Sequence, residues 1–308
     1  MATYSYRVGC LTGCGAAPEL MAEASRALDA TVRLHGIRLE QVHAPVGADA
    51  RQRHGQVVSH AARAAFLSAD AVLVADDDDA SFAELTQELD LRARQTRVLF
   101  GVRDSVLLSP LSDDASAWAA RRAFALAATR RMRLTVVAGD DAWHDVIDAA
   151  EEHHFGVRVE WLDRDTAVRR AAFEAETLDV VLADAATGET LAALVGATAV
   201  PARVAAQGLL AEHGPSVFLP LEAEASDDAG HGAVNPSPML LAAAMLLADG
   251  LNQRSAGETL ANALSGALGG RVSTVDRVRR GLAATTREFT DSVLAGFQNH
   301  HSNAEFAR

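Results

Sequence analysis

The chain has 308 residues, 49 % of them hydrophobic, enough to bury one large core or two lobes of ordinary domain size. Its formal net charge is −13 and its pI about 5.3, so it lacks the basic face that a nucleic-acid groove or an anionic membrane surface requires. All 28 basic residues are arginine, which excludes Schiff-base chemistry, an ammonium general acid and a phosphate-loop lysine.

In chain order, the apolar run "YRVGCL" predicts a first strand, and "LTGCGAAPEL" a glycine-containing turn into a helix. Pro18 suits a first helical position, and Leu20, Ala24, Ala27 and Leu28 share one face of "PELMAEASRALDA". Further strands are predicted at "IRLEQVHA", "AVLVA" (71–75), "RVLFGV" (97–102), "LTVVA" (134–138), "VRVEW" (157–161), "DVVLA" (179–183) and "SVFLPL" (216–221), with helical patterns between them. Such alternation implies α/β layers around a substantially parallel sheet. The tract "DDDD" at 76–79 should lie in a solvated loop, because adjacent carboxylates repel. The segment "LRARQTR" reads as a solvated edge with basic residues. The longest apolar stretch, "PMLLAAAMLLA" (238–248), is too short to cross a bilayer and reads as a buried helix.

Cys10 and Cys14 are spaced neither as a redox pair nor as half a zinc set, and are expected to be packing residues of a reduced compartment. No signal-peptide pattern opens the chain, so the expected location is cytoplasmic. His153 and His154 fall at a predicted helix end, where a positive charge favours the helix C-terminus.

Several stretches in order resemble the isocitrate and isopropylmalate dehydrogenase family, the β-hydroxyacid oxidative decarboxylases, and isopropylmalate dehydrogenases in particular. "LTGCGAAPELMAEASRALDA" resembles the family's "GDGIGPE" turn and helix, "LTQELDLRARQTRV" its "LRKELDLYANLRPV", and "LDVVLADAATGETL" its "FDVIVTENLFGDIL". "AGHGAVNPSPMLLAAAMLL" is similar to "AGKGIANPIAMILSAAMML", and "GLAATTREFTDSVLAGF" to "GGTASTREFTDAV". The resemblance implies an isopropylmalate dehydrogenase-like, two-lobed α/β fold with a shared sheet and an interlobe cleft. The large lobe would comprise 1–97 plus 201–308 and the small lobe 98–200, shortened relative to the family. It also implies a homodimer, with "ETLAALVGATAV" as the interface helix, or a hetero-oligomer with an active family member.

Relatives transfer hydride to NAD(P) and then lose CO2 while a divalent ion holds the enolate. That chemistry needs carboxylates on a hard cation, arginines on the substrate carboxylates, and a proton-relaying lysine and tyrosine. The family's lysine position is Gly139 here, and the segment carrying its tyrosine and one substrate arginine is missing. For the metal, Asp165 matches an aspartate that a neighbouring subunit contributes, Glu189 replaces a second and Ala193 a third. The alternative uses are structural: Asp165 as a cap for a helix starting near Thr166, and Glu189 as a charge in a helical first turn. For substrate carboxylates, Arg97 lies one position past the family's arginine, which falls at Thr96, with Arg94 and Arg92 nearby.

For the cofactor, Asp227 and Asn235 align with family positions and form a remnant of the ribose contact. Glu222, Glu224 and Asp228 add negative charge where a pyrophosphate must approach, and Asp76–Asp79 replace a glycine-rich segment. One such repulsion, at about 6 Å and an effective dielectric near 20, costs on the order of 2 to 3 kcal/mol before screening. NAD and Mg2+ or Mn2+ are therefore expected to bind weakly or not at all. In "GCGAAPE" the family's acidic residue has become Cys14 and its last glycine Ala17: the turn is kept and its functional decoration lost. The expectation is a pseudoenzyme with a scaffold, regulatory or altered ligand-binding role. The alternatives are a metal-assisted decarboxylase or lyase using Asp165, Glu189, Asp184 and Asp140, and a weak NAD-dependent oxidoreductase.

Overall fold

A computed structural model describes residues 5–75, 85–100, 103–138, 142–197, 203–221, 230–270 and 283–305. The chain divides into two compact units, 1–90 with 213–308, and 91–212. The sequence expectation set these boundaries at 97/98 and 200/201. The difference arises because residues 91–97 and 203–211 belong to strands that pair with one another within the second unit.

In the first unit, β1 (Ser5–Thr12), β2 (Arg38–Pro45), β3 (Ala71–Val74) and β10 (Ser216–Pro220) are parallel and lie in the order β2-β1-β3-β10. Helix α1 (Ala17–Leu34) follows β1, with Pro18 in its first turn and Leu20, Ala24, Ala27 and Leu28 buried as the periodicity predicts. Gly15, at φ +60°, makes the turn between them. Strand β1 is covered on both faces: Gly9 meets Ala65 and Ala69 at the end of α3 (His60–Leu67), while Cys10 meets Ser25 and Asp29 of α1. A short helix α2 (Gly47–His54) precedes α3, whose N-terminus is capped by Ser59 accepting from the Ala62 amide.

Helix α8 (Ser237–Met245) is buried along its whole length and continues into a π-helical turn at Leu246–Gly250, in line with the buried-helix reading of that stretch. Two further helices, α9 (Arg254–Leu268) and α10 (Thr286–Glu305), pack on each other and on α1. The start of α10 carries a capping box: the Thr285 amide donates to Glu288 and the Glu288 amide to Thr285 Oγ1.

The second unit holds β4 (Leu91–Phe100), β5 (Arg103–Pro110), β6 (Arg133–Val137), β7 (Arg158–Trp161), β8 (Val180–Ala183) and β9 (Arg203–Ala211), in the order β9-β4-β5-β8-β6-β7. β4 runs antiparallel to β5 and β9, and the β5-β8-β6-β7 pairings are parallel. Helices α4 (Ser116–Ala128) and α5 (Ala142–Glu151) cover one face, over a core that includes Ala93, Val106, Leu108, Phe124, Leu134 and Leu182. Helix α7 (Ala185–Ala197), with α6 (Arg164–Phe173) against it, takes the other face, where Gly188 sits so close to Ser109 that a Cβ would lie 2.3 Å from the serine Cβ.

Strands β5 and β9 are not among the sequence-predicted elements. The reading of "LRARQTR" as a solvated edge is also corrected: it is β4, flanked by strands on both sides, with Gln95, Thr96 and Arg97 buried. No helix among the described residues is long and apolar enough to cross a membrane.

Candidate functional site

The arginines of β4 divide by the pleat. Alternation places Ala93, Gln95 and Arg97 with the α4 core, and Arg94 and Thr96 on the α7 face. Arg97, assigned to substrate by the resemblance, is engaged inside the unit instead. Its Nε donates to Asp104 Oδ2 at 2.8 Å, and Asp104 also accepts from Arg130 at 2.7 Å. Arg130 Nε in turn donates to Asp179 Oδ1 at 2.7 Å, and the Arg131 amide donates to Asp179 Oδ2 at 3.1 Å. The result is a largely buried chain of alternating charges, Arg97–Asp104–Arg130–Asp179. Burial disfavours ionisation of Asp104, yet Arg97 and Arg130 outweigh it and lower its pKa from 3.8 to about 2. Burial likewise opposes the charge on Arg130, and Asp104 and Asp179 more than offset this, raising its pKa.

On the opposite face, Nη1 of Arg94 lies 3.6 Å from Oε1 of Glu189. Arg94 Nε and Thr96 Oγ1 are buried there with no hydrogen-bond partner among the described residues. Each such atom costs on the order of 1–3 kcal/mol unless a water or ligand satisfies it. Glu189 itself is well exposed, in the second turn of α7 rather than the first. Its helix is capped by Asp184, whose Oδ1 accepts from the Thr187 amide at 2.9 Å.

Asp165 is exposed in the first turn of α6, and the cap of that helix is Asp163, which accepts from the Thr166 amide at 2.9 Å; the sequence expectation chose the wrong one of the two aspartates. A side chain two residues further into the helix points away from the amides that need a cap. Among the described residues no three His, Cys, Asp or Glu side chains of the chain converge as ligands for a cation. With Glu189 beside a guanidinium and Asp184 spent on a cap, the residues described within one chain do not fit an octahedral Mg2+ site.

In the first unit the first turn of α1 is tied to a distant loop. The Gly232 amide donates to Glu19 Oε2 at 3.3 Å, the Thr286 amide donates to the Gly232 carbonyl at 2.8 Å, and Thr286 Oγ1 donates to the Val234 carbonyl at 2.7 Å. Asn235, expected as a ribose remnant, turns its Oδ1 to the Ser237 amide at 3.0 Å at the start of α8. Tyr6 Oη accepts from Gln253 Nε2 at 2.8 Å. The cysteines differ: Cys10 is buried, and burial together with Asp29 pushes its thiol up to about 12, whereas Cys14 is exposed and is not a packing residue. His153 and His154 lie just past α5, each with Nδ1 on a carbonyl of its last turn, Ala149 at 3.3 Å and Ala150 at 3.0 Å. Gly139, Asp140, Asp227, Asp76–Asp79, Glu222, Glu224 and Asp228 lie outside the described residues.

The sequence reading missed Asp104, Arg130 and Asp179. An aspartate directly before the strand "VVLA" and an arginine ending the helical pattern "AFALAATRR" were the available signals, but neither reveals its partner.

The isocitrate/isopropylmalate dehydrogenase family matches residues 83–293. The 3-isopropylmalate dehydrogenase of Synechococcus sp. (strain CC9605) is 26 % identical over 339 aligned residues, covering 90 % of this chain and 94 % of the relative. Among solved structures, the apo form of a beta-decarboxylating dehydrogenase from Thermococcus kodakarensis superposes with a TM-score of 0.82 at 23 % identity, covering 97 % of this chain and 98 % of that one. An isocitrate dehydrogenase from Methylococcus capsulatus gives 0.77 at 15 % identity, covering 95 % and 99 %.

Proposed function

The chain belongs to the isocitrate/isopropylmalate dehydrogenase family, and from that premise we propose that it is a catalytically degenerate member, a scaffold, regulator or binder of another ligand that does not run NAD-dependent oxidative decarboxylation. The observation that carries this reading is the lack of a lysine and of a tyrosine available for proton relay. The sequence contains no lysine and only Tyr4 and Tyr6 as tyrosines, and Tyr6 is bonded to Gln253 in the first unit. A hydroxyl proton on the substrate and a carbanion after decarboxylation each need a positioned acid or base.

The fate of the arginines supports the same reading. Arg97 is consumed by Asp104, and Arg94 has a carboxylate of its own chain beside it. The unsatisfied Arg94 Nε and Thr96 Oγ1 favour a retained but altered capacity to bind a polar ligand on that face.

The protein would work as a homodimer, or as a hetero-oligomer with an active relative, in the cytoplasm and without nucleic acid or membrane. Helix α7 is suited to the interface, because its exposed face carries Ala186, Glu189 and Ala193 and so permits close helix approach. Titration of NADH fluorescence tests the cofactor side of the proposal. A dissociation constant weaker than about 0.1 mM, roughly −5.5 kcal/mol, is expected, and tighter binding opposes it. Co-purification of an intact family member with this chain would separate a regulatory role from an independent one.

A further inference from the structure

A concave site lies away from Arg94 and Glu189, at the N-terminal ends of β6 and β7. A pocket of about 600 Å³ is lined there by Arg131, Met132, Arg133, Gly156, Arg158 and Glu160. We propose that it binds a small polyanion, a polycarboxylate or a phosphate-bearing molecule, through the guanidinium groups of Arg131, Arg133 and Arg158.

The argument starts from register. Arg133 and Arg158 are direct partners on neighbouring parallel strands, so their side chains leave the sheet on the same face. Like charges held opposite one another are unfavourable without a counter-charge. Glu160 supplies part of one, but it is shared: it lies 3.5 Å from Arg133 and 3.0 Å from Arg170. Among the described residues no carboxylate pairs with the side chain of Arg131 or Arg158. The nearby Asp179 is occupied by Arg130 and by the amide of Arg131. A chain with a net charge of −13 thus concentrates uncompensated positive charge in one hollow.

The floor of that hollow is fixed. The Met132 amide donates to the Ala127 carbonyl at 3.1 Å, and the Arg158 amide to the Met132 carbonyl at 2.9 Å. Met132 is held at φ 54° and Gly156 at φ 93°, with Met132 Cε packed toward Gly156. Guanidinium forks on a fixed floor suit bidentate recognition of carboxylate or phosphate, and the volume fits a metabolite-sized ion.

Calorimetry on the full chain at low ionic strength tests this with two probes, citrate and inorganic pyrophosphate. Sub-millimolar binding of at least one is expected, weakening with added salt. Citrate alone would indicate a polycarboxylate ligand, and pyrophosphate alone a phosphate-bearing one. Binding should fall at least tenfold in an Arg131→Ser/Arg158→Ser variant; Arg158→Lys, which keeps the charge but loses the fork, should weaken it less and serves if the double variant does not fold. The proposal is overturned if neither probe binds at millimolar concentration, or if the folded variants bind as the parent does.

Discussion

Arg94 of β4 and Glu189 of α7 face each other with 3.6 Å between Nη1 and Oε1. Arg94 therefore has a carboxylate of its own chain beside it. On the proposed reading, in which the sequence resemblance sets Arg94 at a substrate position and Glu189 at a metal position, this one contact engages both.

Because Glu189 is mostly exposed in the isolated chain, the pair should contribute little to folding. Glu189→Gln is expected to change the unfolding free energy by less than about 1 kcal/mol in urea denaturation. A loss of several kcal/mol would mean that the pair is buried, as it would be if an α7 interface covered it.

The chain Arg97–Asp104–Arg130–Asp179 should behave differently. Asp104→Ala removes the carboxylate that two largely buried guanidiniums share, although Arg130 keeps Asp179, and is expected to cost about 3–5 kcal/mol, seen as a lower urea midpoint with an unchanged slope. A neutral outcome would show that water reaches these groups.

The same aspartate sets a pH dependence. Its pKa is lower folded than unfolded, so its stabilisation is complete above about pH 4 and is lost as pH falls through the folded value of about 2. The parent should lose about 2 kcal/mol over that window, read from urea midpoints between pH 5 and 2. Asp104→Asn should lack this part of the acid sensitivity; equal sensitivity in both would contradict the assignment.

Close packing of α7 on β5 gives a steric prediction. Gly188→Ala puts a methyl group 2.3 Å from Ser109 Cβ and should destabilise by about 1–3 kcal/mol. Adding Ser109→Gly should recover part of that loss in a double-mutant cycle. Simple additivity would show that the helix moves away instead.

Thiol labelling distinguishes the two cysteines. Cys14 is exposed and should react with a disulfide reagent in the native protein, while Cys10, with its thiol pushed up to about 12, should react only after unfolding. Rapid labelling of both would show that the strand β1 side of the sheet opens readily.

Local pattern made much of the fold legible. The amphipathic period of α1 and the apolar runs of β1, β3 and β8 announce their own burial. Strand β9 was hidden because "RVAAQGLLA" is alanine-rich and does not alternate, and β5 because its apolar core is brief. The misreading of β4 has a specific cause. Arginine in a strand looks solvent-facing until its partners are known. Those partners, Asp114 and Glu212 for Arg92, Glu189 for Arg94, and Asp104 for Arg97, come from several other elements of the second unit. Pairings of that kind depend on topology, so Arg97 looked like a substrate ligand in the sequence. Choosing between Asp163 and Asp165 as a cap turned on the first helical residue, a boundary that sequence pattern leaves loose.

The most direct measurement follows NADH appearance when the purified full chain is given NAD+, Mg2+ or Mn2+, and in turn 3-isopropylmalate, isocitrate and malate. The account predicts no turnover above the enzyme-free rate with any of the three. Sustained NADH production, abolished by denaturing the chain, would contradict it.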